Sequence, residues 1–551
     1  MNTVMKYKFL IPVLAVALTL NLSSCVGDLD VEPIDPSVTQ TFEQDMVFAK
    51  IYSSLSLTGQ EGPAGKGDVA GIDEGFSAFF RLIWNLNEIT TDEAMCAWGD
   101  NGIPELNFNR WSDSNDFTKG LYGRFYFNIT LCNHFLQQTE GMTDEKTVKQ
   151  RAETRFMRAL NYYYLLDMFG NVPFTEVVAT EPPIQMARKD LYAWVETELL
   201  AVETELFAPK TAPYYRVDQA ACWLLQSRLY LNAEVFTTVR AEGGVVVEAG
   251  IPEWNKAAIY SKKVLDSGYA LNPSYEQLFM GDNAGIYDGS AVNTAPQEII
   301  FPIACDGVLT KSWGNSLFII ASTFRADDMK PVGTKEAWAG NRSRSSLIRK
   351  FYPSTVNASD FSDLRTGAVS PPSRYTKDAR AMFFATNRVM EIETPGRFVE
   401  GYSVFKYTNV RADGAPSRDV TYTDTDIPFM RHAEAYLNYA EAVMRGADLV
   451  DGYTALEAVN ALRTRAGARL ATTTTLTLDY ILDERAREFF FEGYRRSDLI
   501  RFDKYGGNND YLWPWKGGEA AGAAFSADLN IFAIPASDLN ANPNLEQNPG
   551  Y

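Results

Sequence analysis

The chain has 551 residues, 46% of them hydrophobic, enough for a sizeable core in one large domain or several smaller ones. A formal charge of −19 argues against nucleic acid and anionic lipid surfaces as partners. Five cysteines without a C-x-x-C pair form no disulfide framework, and two histidines, His134 and His432, are too few to favour a zinc site or a Ser-His-Asp triad.

In chain order, Lys6 and Lys8 precede an apolar run from Phe9 to Leu20. About a dozen residues is too short for a membrane span, which needs about 20, and reads as an export signal. The run leads into Leu22-Ser23-Ser24-Cys25, which resembles the bacterial lipobox. Residues 1–24 are therefore predicted to be a lipoprotein signal peptide and Cys25 the lipidated start of the mature chain. Acylation tethers a protein to a membrane without spanning it. Without Lys6 and Lys8 the charge of −19 becomes −21. Residues 25–41 carry Asp28, Asp30, Glu32 and Asp35 with Pro33 and Pro36 and few large apolar side chains, the composition of a flexible tether. Acidic residues behind the lipidated cysteine also resemble the signal for the outer face of the outer membrane. Residues 42–551 are expected to form a single domain.

Glu145 to Phe169 is predicted as a helix, with Phe156, Leu160, Tyr163, Tyr164 and Met168 on one stripe and a stop at Gly170-Asn171 before Pro173. Val217 to Ala233 and Pro252 to Ser267 follow. Ala221 and Ala257, 36 residues apart, each open a helix that ends in a turn. Phe429 to Arg445, Gly452 to Ala466 and Leu476 to Phe502 continue the pattern. The spacing predicts a mostly α fold, a tetratricopeptide-like helical-repeat scaffold. Ile72 to Trp111 and Gln297 to Thr425 lack helical periodicity and are rich in Gly, Asn, Asp, Ser and aromatics. These long irregular loop insertions are expected to carry the ligand site. Cys132 and Cys222 lie in apolar helical patterns and are expected in the core, and both histidines are read as structural helix residues.

Five motifs, in order, carry a family resemblance. They are the lipobox; Arg158-Ala159-Leu160-Asn161-Tyr162-Tyr163-Tyr164 with Phe169-Gly170-Asn171-Val172-Pro173; Ala433-Glu434-Ala435-Tyr436-Leu437-Asn438-Tyr439-Ala440-Glu441-Ala442; Glu484-Arg485-Ala486-Arg487-Glu488-Phe489 running into Arg495-Arg496-Ser497-Asp498-Leu499; and Ile534-Pro535 through Asn542-Pro543-Asn544 to Gly550-Tyr551. Over essentially its whole length the chain resembles the RagB/SusD family. The charged motif residues, at helix spacings, fit ion pairs that lock packed helices.

The resemblance implies a non-catalytic, surface-exposed lipoprotein of the outer membrane that binds glycan for a SusC-like TonB-dependent transporter. Asp73-Glu74-Gly75, Arg81, Thr91-Asp92-Glu93, Ala97-Trp98, Asn101, Asp306-Gly307-Val308 and Tyr511-Leu512-Trp513 bring it close to the starch-binding member. That implies starch, maltooligosaccharides or cyclodextrins as ligands. Carried over from that member, an arc of three aromatic platforms falls on Trp98, Trp313 and Trp338, with Trp313 standing where that member has a tyrosine. Sugars present apolar C–H faces and hydroxyls, so platforms need polar partners; these carry over to Asp73, Arg81 and Asn101. Arg81 could instead bridge to Asp73 or Glu74, and Asn101 also suits a turn. Asp424 and Asp426 could help hold a structural calcium ion, though a solvated turn fits them better; no other cofactor is implied. The alternatives are a binder of another glycan or of peptide, and a glycoside hydrolase, which needs two suitably spaced carboxylates.

Overall fold

The helices begin where a side chain can take up the free N–H groups of a first turn. Asn115 accepts from Phe117 and Thr118 at the start of a helix over Asp116–Gln138. Asp144 does so for Glu145–Met168 and Asp218 for Gln219–Leu231. Thr454 and Glu457 form a reciprocal capping box, and Thr477 caps Leu478–Phe489. Each such cap is worth about 1 kcal/mol. Gly170, at φ +72°, ends the second of these helices where the sequence places the stop.

The computed structural model describes residues 41–287, 290–291, 293–327, 329–352 and 378–551; the signal peptide, Cys25 and the tether up to residue 40 lie outside the described residues. Contacts divide the chain into residues 1–45 and a body of residues 46–551. Of the first, residues 41–45 are described, and they open helix α1 (Gln44–Ser53). The body continues with α2 (Phe79–Trp84), β1 (Ala94–Cys96), α3 (Asp116–Gln138), α4 (Glu145–Met168), α5 (Arg188–Val202) and α6 (Gln219–Leu231). Next come β2 (Val239–Arg240), β3 (Val246–Glu248), α7 (Trp254–Leu265), β4 (Ile299–Ile303), α8 (Ser316–Thr323), β5 (Asn341–Ser343) and β6 (Ile427–Arg431). The last labelled helices are α9 (Ala433–Met444), α10 (Ala455–Arg465), α11 (Leu478–Phe489) and α12 (Arg495–Arg501).

Consecutive helices stack: α3 on α4, α4 on α5, α6 on α7, and α9 on both α10 and α11. Helix α7 also packs on α9, although residues 266–432 intervene. The long insertion therefore leaves the helical stack and returns to it at adjacent positions. Alanines at the crossings, among them Ala257, Ala258, Ala440 and Ala458, let these helices approach closely around Leu437, Val459, Leu462 and Ile481. The scaffold is helix-rich and of tetratricopeptide-like type, as the sequence predicts. Among the described residues no helix is long and apolar enough to cross a membrane.

The motif charges lie inside the scaffold. Arg431 reaches Glu298 at 3.0 Å, Glu488 at 2.6 Å and Glu492 at 2.8 Å, all buried. Arg380 bridges Glu484 at 2.8 Å and Glu488 at 3.0 Å. Arg495 holds Asp92 at 2.6 Å, Arg496 holds Asp167 at 3.1 Å, and Asp498 sits between Arg485 and Arg501. Burial raises the Glu484 carboxyl, but Arg380, Arg487 and Arg463 outweigh it and hold the group down to about 2.

Three sequence readings are corrected. Phe429 to Arg431 are strand β6, paired antiparallel with β4 (Ile427 opposite Ile303, Arg431 opposite Ile299), and the helix begins only at Ala433. Leu476 to Phe502 is two helices, separated where Phe491 and Gly493 adopt φ +64° and +86°. Helices α1, α2, α3, α5 and α8 are additional to those predicted, α2 and α8 within the segments read as lacking helical periodicity. Cys132 and Cys222 are buried as expected, and burial pulls the His432 imidazole down to about 4.

Candidate functional site

Three separated segments converge because β1 pairs with β5 (Ala94 opposite Ser343, Cys96 opposite Asn341). The pairing extends through the Ala97 N–H, which donates to the Gly340 carbonyl at 2.9 Å. Trp98, just past β1, is thereby brought beside Gly340, just before β5. A β-carbon at residue 340 would lie 2.2 Å from the Trp98 Nε1, and φ there is +103°, so the indole seat depends on glycine. The N–H groups of Trp338 and Ala339 both donate to the Ala321 carbonyl of α8, at 2.9 and 3.1 Å. Trp313 lies just before α8, whose N-terminus Asn315 caps.

Trp98, Trp313 and Trp338 are each half-buried and line one open depression of about 670 Å³, together with Asp73, Glu74, Gly75, Arg81, Asp100 and the Pro63–Gly65 turn. That volume lies within the range of ordinary ligand sites. The Trp313 and Trp338 ring centroids are 6.1 Å apart with planes at 49°, and Trp313 packs against Tyr422 at 5.2 Å. The tilt gives a bent aromatic wall rather than a flat one. Trp338 donates its indole N–H to Glu336 at 2.9 Å, which fixes the ring's orientation.

Of the predicted polar partners, Asp73 and Arg81 line the depression and Asn101 does not. Asn101 is exposed and donates to Asp116 at 2.7 Å. Arg81 makes no bridge to Asp73 or Glu74; it donates to the Gly75 carbonyl at 3.1 Å and its guanidinium lies 4.7 Å over the Phe318 ring. Burial pulls it down to about 10, so it remains cationic at neutral pH. Burial and the neighbouring Asp73 push the Glu74 carboxyl up to about 7, and the Thr58 hydroxyl donates to it. The depression thus offers three apolar platforms, one cation and several carboxylate acceptors, the inventory that sugar faces and hydroxyls need.

Sequence reasoning gave no ligand-binding role to Glu74, Asp100, Glu336, Gly340 and Tyr422. Glu74 lies within a motif it quoted, and Asp100 adjoins Asn101. Nothing local marks Gly340 or Tyr422, whose roles arise from pairing and packing across the insertion. Asp424 accepts from the Gly307 N–H and from Arg418, and Asp426 from the Cys305 N–H. No cluster of three or more His, Cys, Asp or Glu able to hold a metal ion occurs among the described residues.

Residues 390–551 match the model of the SusD family. Starch-binding protein SusD of Bacteroides thetaiotaomicron is 39% identical over 99% of this chain and 100% of its own length. Among solved structures, surface glycan-binding protein A from Bacteroides thetaiotaomicron in complex with laminarihexaose has a TM-score of 0.64 at 18% identity, covering 92% of this chain and 98% of that one. A SusD-like protein from Bacteroides fragilis likewise has a TM-score of 0.64 at 18% identity, over 95% and 100%. Those two likenesses concern the fold. With 39% identity to a curated member along almost its entire length, the chain belongs to the SusD family.

Proposed function

We propose that the protein binds α-1,4-glucan, as starch or maltooligosaccharide, in the Trp98–Trp313–Trp338 depression and does not cleave it. One observation carries this reading: three tryptophans from distant segments line one open depression with Asp73 and Arg81. The 39% identity to a starch-binding relative supports the choice of glycan. In this reading Cys25 carries the lipid anchor on the cell surface, and captured glucan passes to a TonB-dependent transporter. In this reading no cofactor takes part; Asp424 accepts from the Gly307 N–H and Arg418, and Asp426 from the Cys305 N–H. A second reading, another neutral glycan in the same depression, is favoured by the similarly folded protein in complex with laminarihexaose.

The deciding experiment is an affinity-gel series with amylopectin, pullulan, dextran, laminarin, inulin and mannan, paired with a reducing-end assay on amylopectin. Retardation by amylopectin and pullulan without new reducing ends is expected. Retardation by laminarin alone would favour the second reading, and release of maltooligosaccharides would overturn both. The bent wall also predicts that a cyclodextrin outbinds maltotriose in calorimetry, since a preformed curve loses less conformational entropy on binding.

A further inference from the structure

A second cavity, of about 330 Å³, shares no residue with the tryptophan depression. It opens where the start of α5, the β2–β3 hairpin and the C-terminal segment meet. Val235, Phe236, Ile531 and Pro549 give it an apolar wall, and Arg188, Lys189 and Arg240 give it three cations. Its two carboxylates are already engaged. Glu248 pairs with Lys189 at 3.1 Å. Asp528 accepts from the N–H groups of Gly243 and Gly244 at 3.0 Å each and from the Ser526 hydroxyl at 2.8 Å.

The two arginines are not neutralised in this way. Arg188 lies 5.2 Å over the Phe236 ring and donates to the carbonyls of Leu166, Asp167 and Val235. That leaves two of a guanidinium's five N–H groups, and Arg188 has no carboxylate partner among the described residues. Arg240 makes one hydrogen bond, to the Gly244 carbonyl at 2.8 Å, and also lacks an acidic partner among the described residues. Burial pulls Arg188 down to about 10; the Asp167 carboxylate opposes this, and the Arg496 and Arg240 charges act with burial. Arg188 closes the C-terminal carbonyls of α4, which accounts for its own position but not for Arg240. Two mutually repelling guanidinium groups beside an apolar wall, in a chain of charge −19, form a local donor excess that an anion would relieve.

We propose that this cavity binds a small amphipathic carboxylate, its apolar body on Phe236 and Ile531 and its carboxylate between Arg188 and Arg240. The space is ample for a benzoate-sized molecule.

The test is calorimetry of the whole chain with benzoate, with benzamide as its neutral isostere, and with inorganic phosphate. Benzoate should bind, with benzamide and phosphate each weaker by about tenfold or more. Arg240→Gln should weaken benzoate by about tenfold. Ala187→Trp, which fills the cavity from its rim, should abolish binding while the melting temperature stays within a few degrees. No benzoate binding up to about 10 mM would overturn the proposal. So would equal affinity for benzamide or phosphate, or undiminished binding in Arg240→Gln.

Discussion

Replacing Gly340 by alanine should abolish most glucan binding without removing any group that touches the ligand. The added β-carbon would meet the Trp98 indole at 2.2 Å from Nε1 and 2.6 Å from Cε2. Carbon contacts relax at about 3.5 Å, so the ring must retreat by more than about 1 Å or β5 must shift. The backbone, at φ +103°, adds strain of about 1–3 kcal/mol for a non-glycine residue. Losing one stacking platform costs about 1–3 kcal/mol of binding, by analogy with base–aromatic stacking. The dissociation constant should therefore rise about 5- to 150-fold, while the melting temperature falls by a few degrees. Calorimetry with a cyclodextrin on wild type, Gly340→Ala, Trp98→Ala and the double variant closes a thermodynamic cycle. Because the glycine acts through the indole, the double variant should bind no worse than Trp98→Ala alone. A folded Gly340→Ala protein with wild-type affinity, or two losses that simply add, would refute the reasoning.

Four further outcomes are expected. Trp338→Ala should lose retardation in an amylopectin gel while retaining its circular dichroism; unchanged retardation would remove Trp338 from the site. Cys25→Ala should move the protein from the membrane fraction to the soluble fraction, and persistent membrane association without the transporter would point to another anchor. Incubation with EDTA should leave amylopectin retardation unaltered, whereas a loss reversed by calcium would restore the ion expected at Asp424 and Asp426. Buried Asp426 is pushed up from 3.8 to about 8, chiefly by burial and despite the Cys305 N–H, with Asp306 and Asp424 adding to the rise. Its folded value lies above its unfolded one, so the stability it contributes below 3.8 is lost progressively as pH rises to about 8. Asp426→Asn, fixed neutral, should gain on wild type between pH 5 and pH 8 in thermal unfolding; a constant difference would contradict that environment.

Much of the scaffold was legible because single side chains announce helix ends. Asp144 and Gly170 bracket α4 within one residue of the predicted span. Helix α3 was obscured by Gly120 and Gly123 inside it, residues that lower helix propensity yet sit where Leu82 and Val69 pack closely. Phe429 to Arg431 looked like the first turn of α9 because strand and helix are both apolar there; the partner that decides it, Ile299 to Ile303, lies more than a hundred residues away. Leu476 to Phe502 reads as one helical stretch, although Phe491 takes a left-handed backbone inside it. At the site, five of the six carried-over residues line one depression, while Asn101 turns to Asp116. The supporting residues Gly340 and Tyr422 act through tertiary contact and leave no local pattern, while Glu336 acts on Trp338 from two residues away.

The interior ion network has an evolutionary consequence. Arg380, Arg431 and Arg465 share Glu484, Glu488 and Glu298, the carboxylates fully buried and the arginine side chains at most 4% exposed. Deleting one member strands a charge in the interior, typically at about 3–5 kcal/mol, whereas exchanging a complete set for apolar residues need not destabilise at all. Drift at these positions is therefore trapped: each single step is penalised, and only concerted replacement escapes. The tryptophan depression lies outside that network: Trp98, Trp313 and Trp338 stand half-buried at an open surface, and none of the network's charges lines it. Sequence change can accumulate there one residue at a time, so a lineage on this frame can alter what it captures long before it alters how it folds.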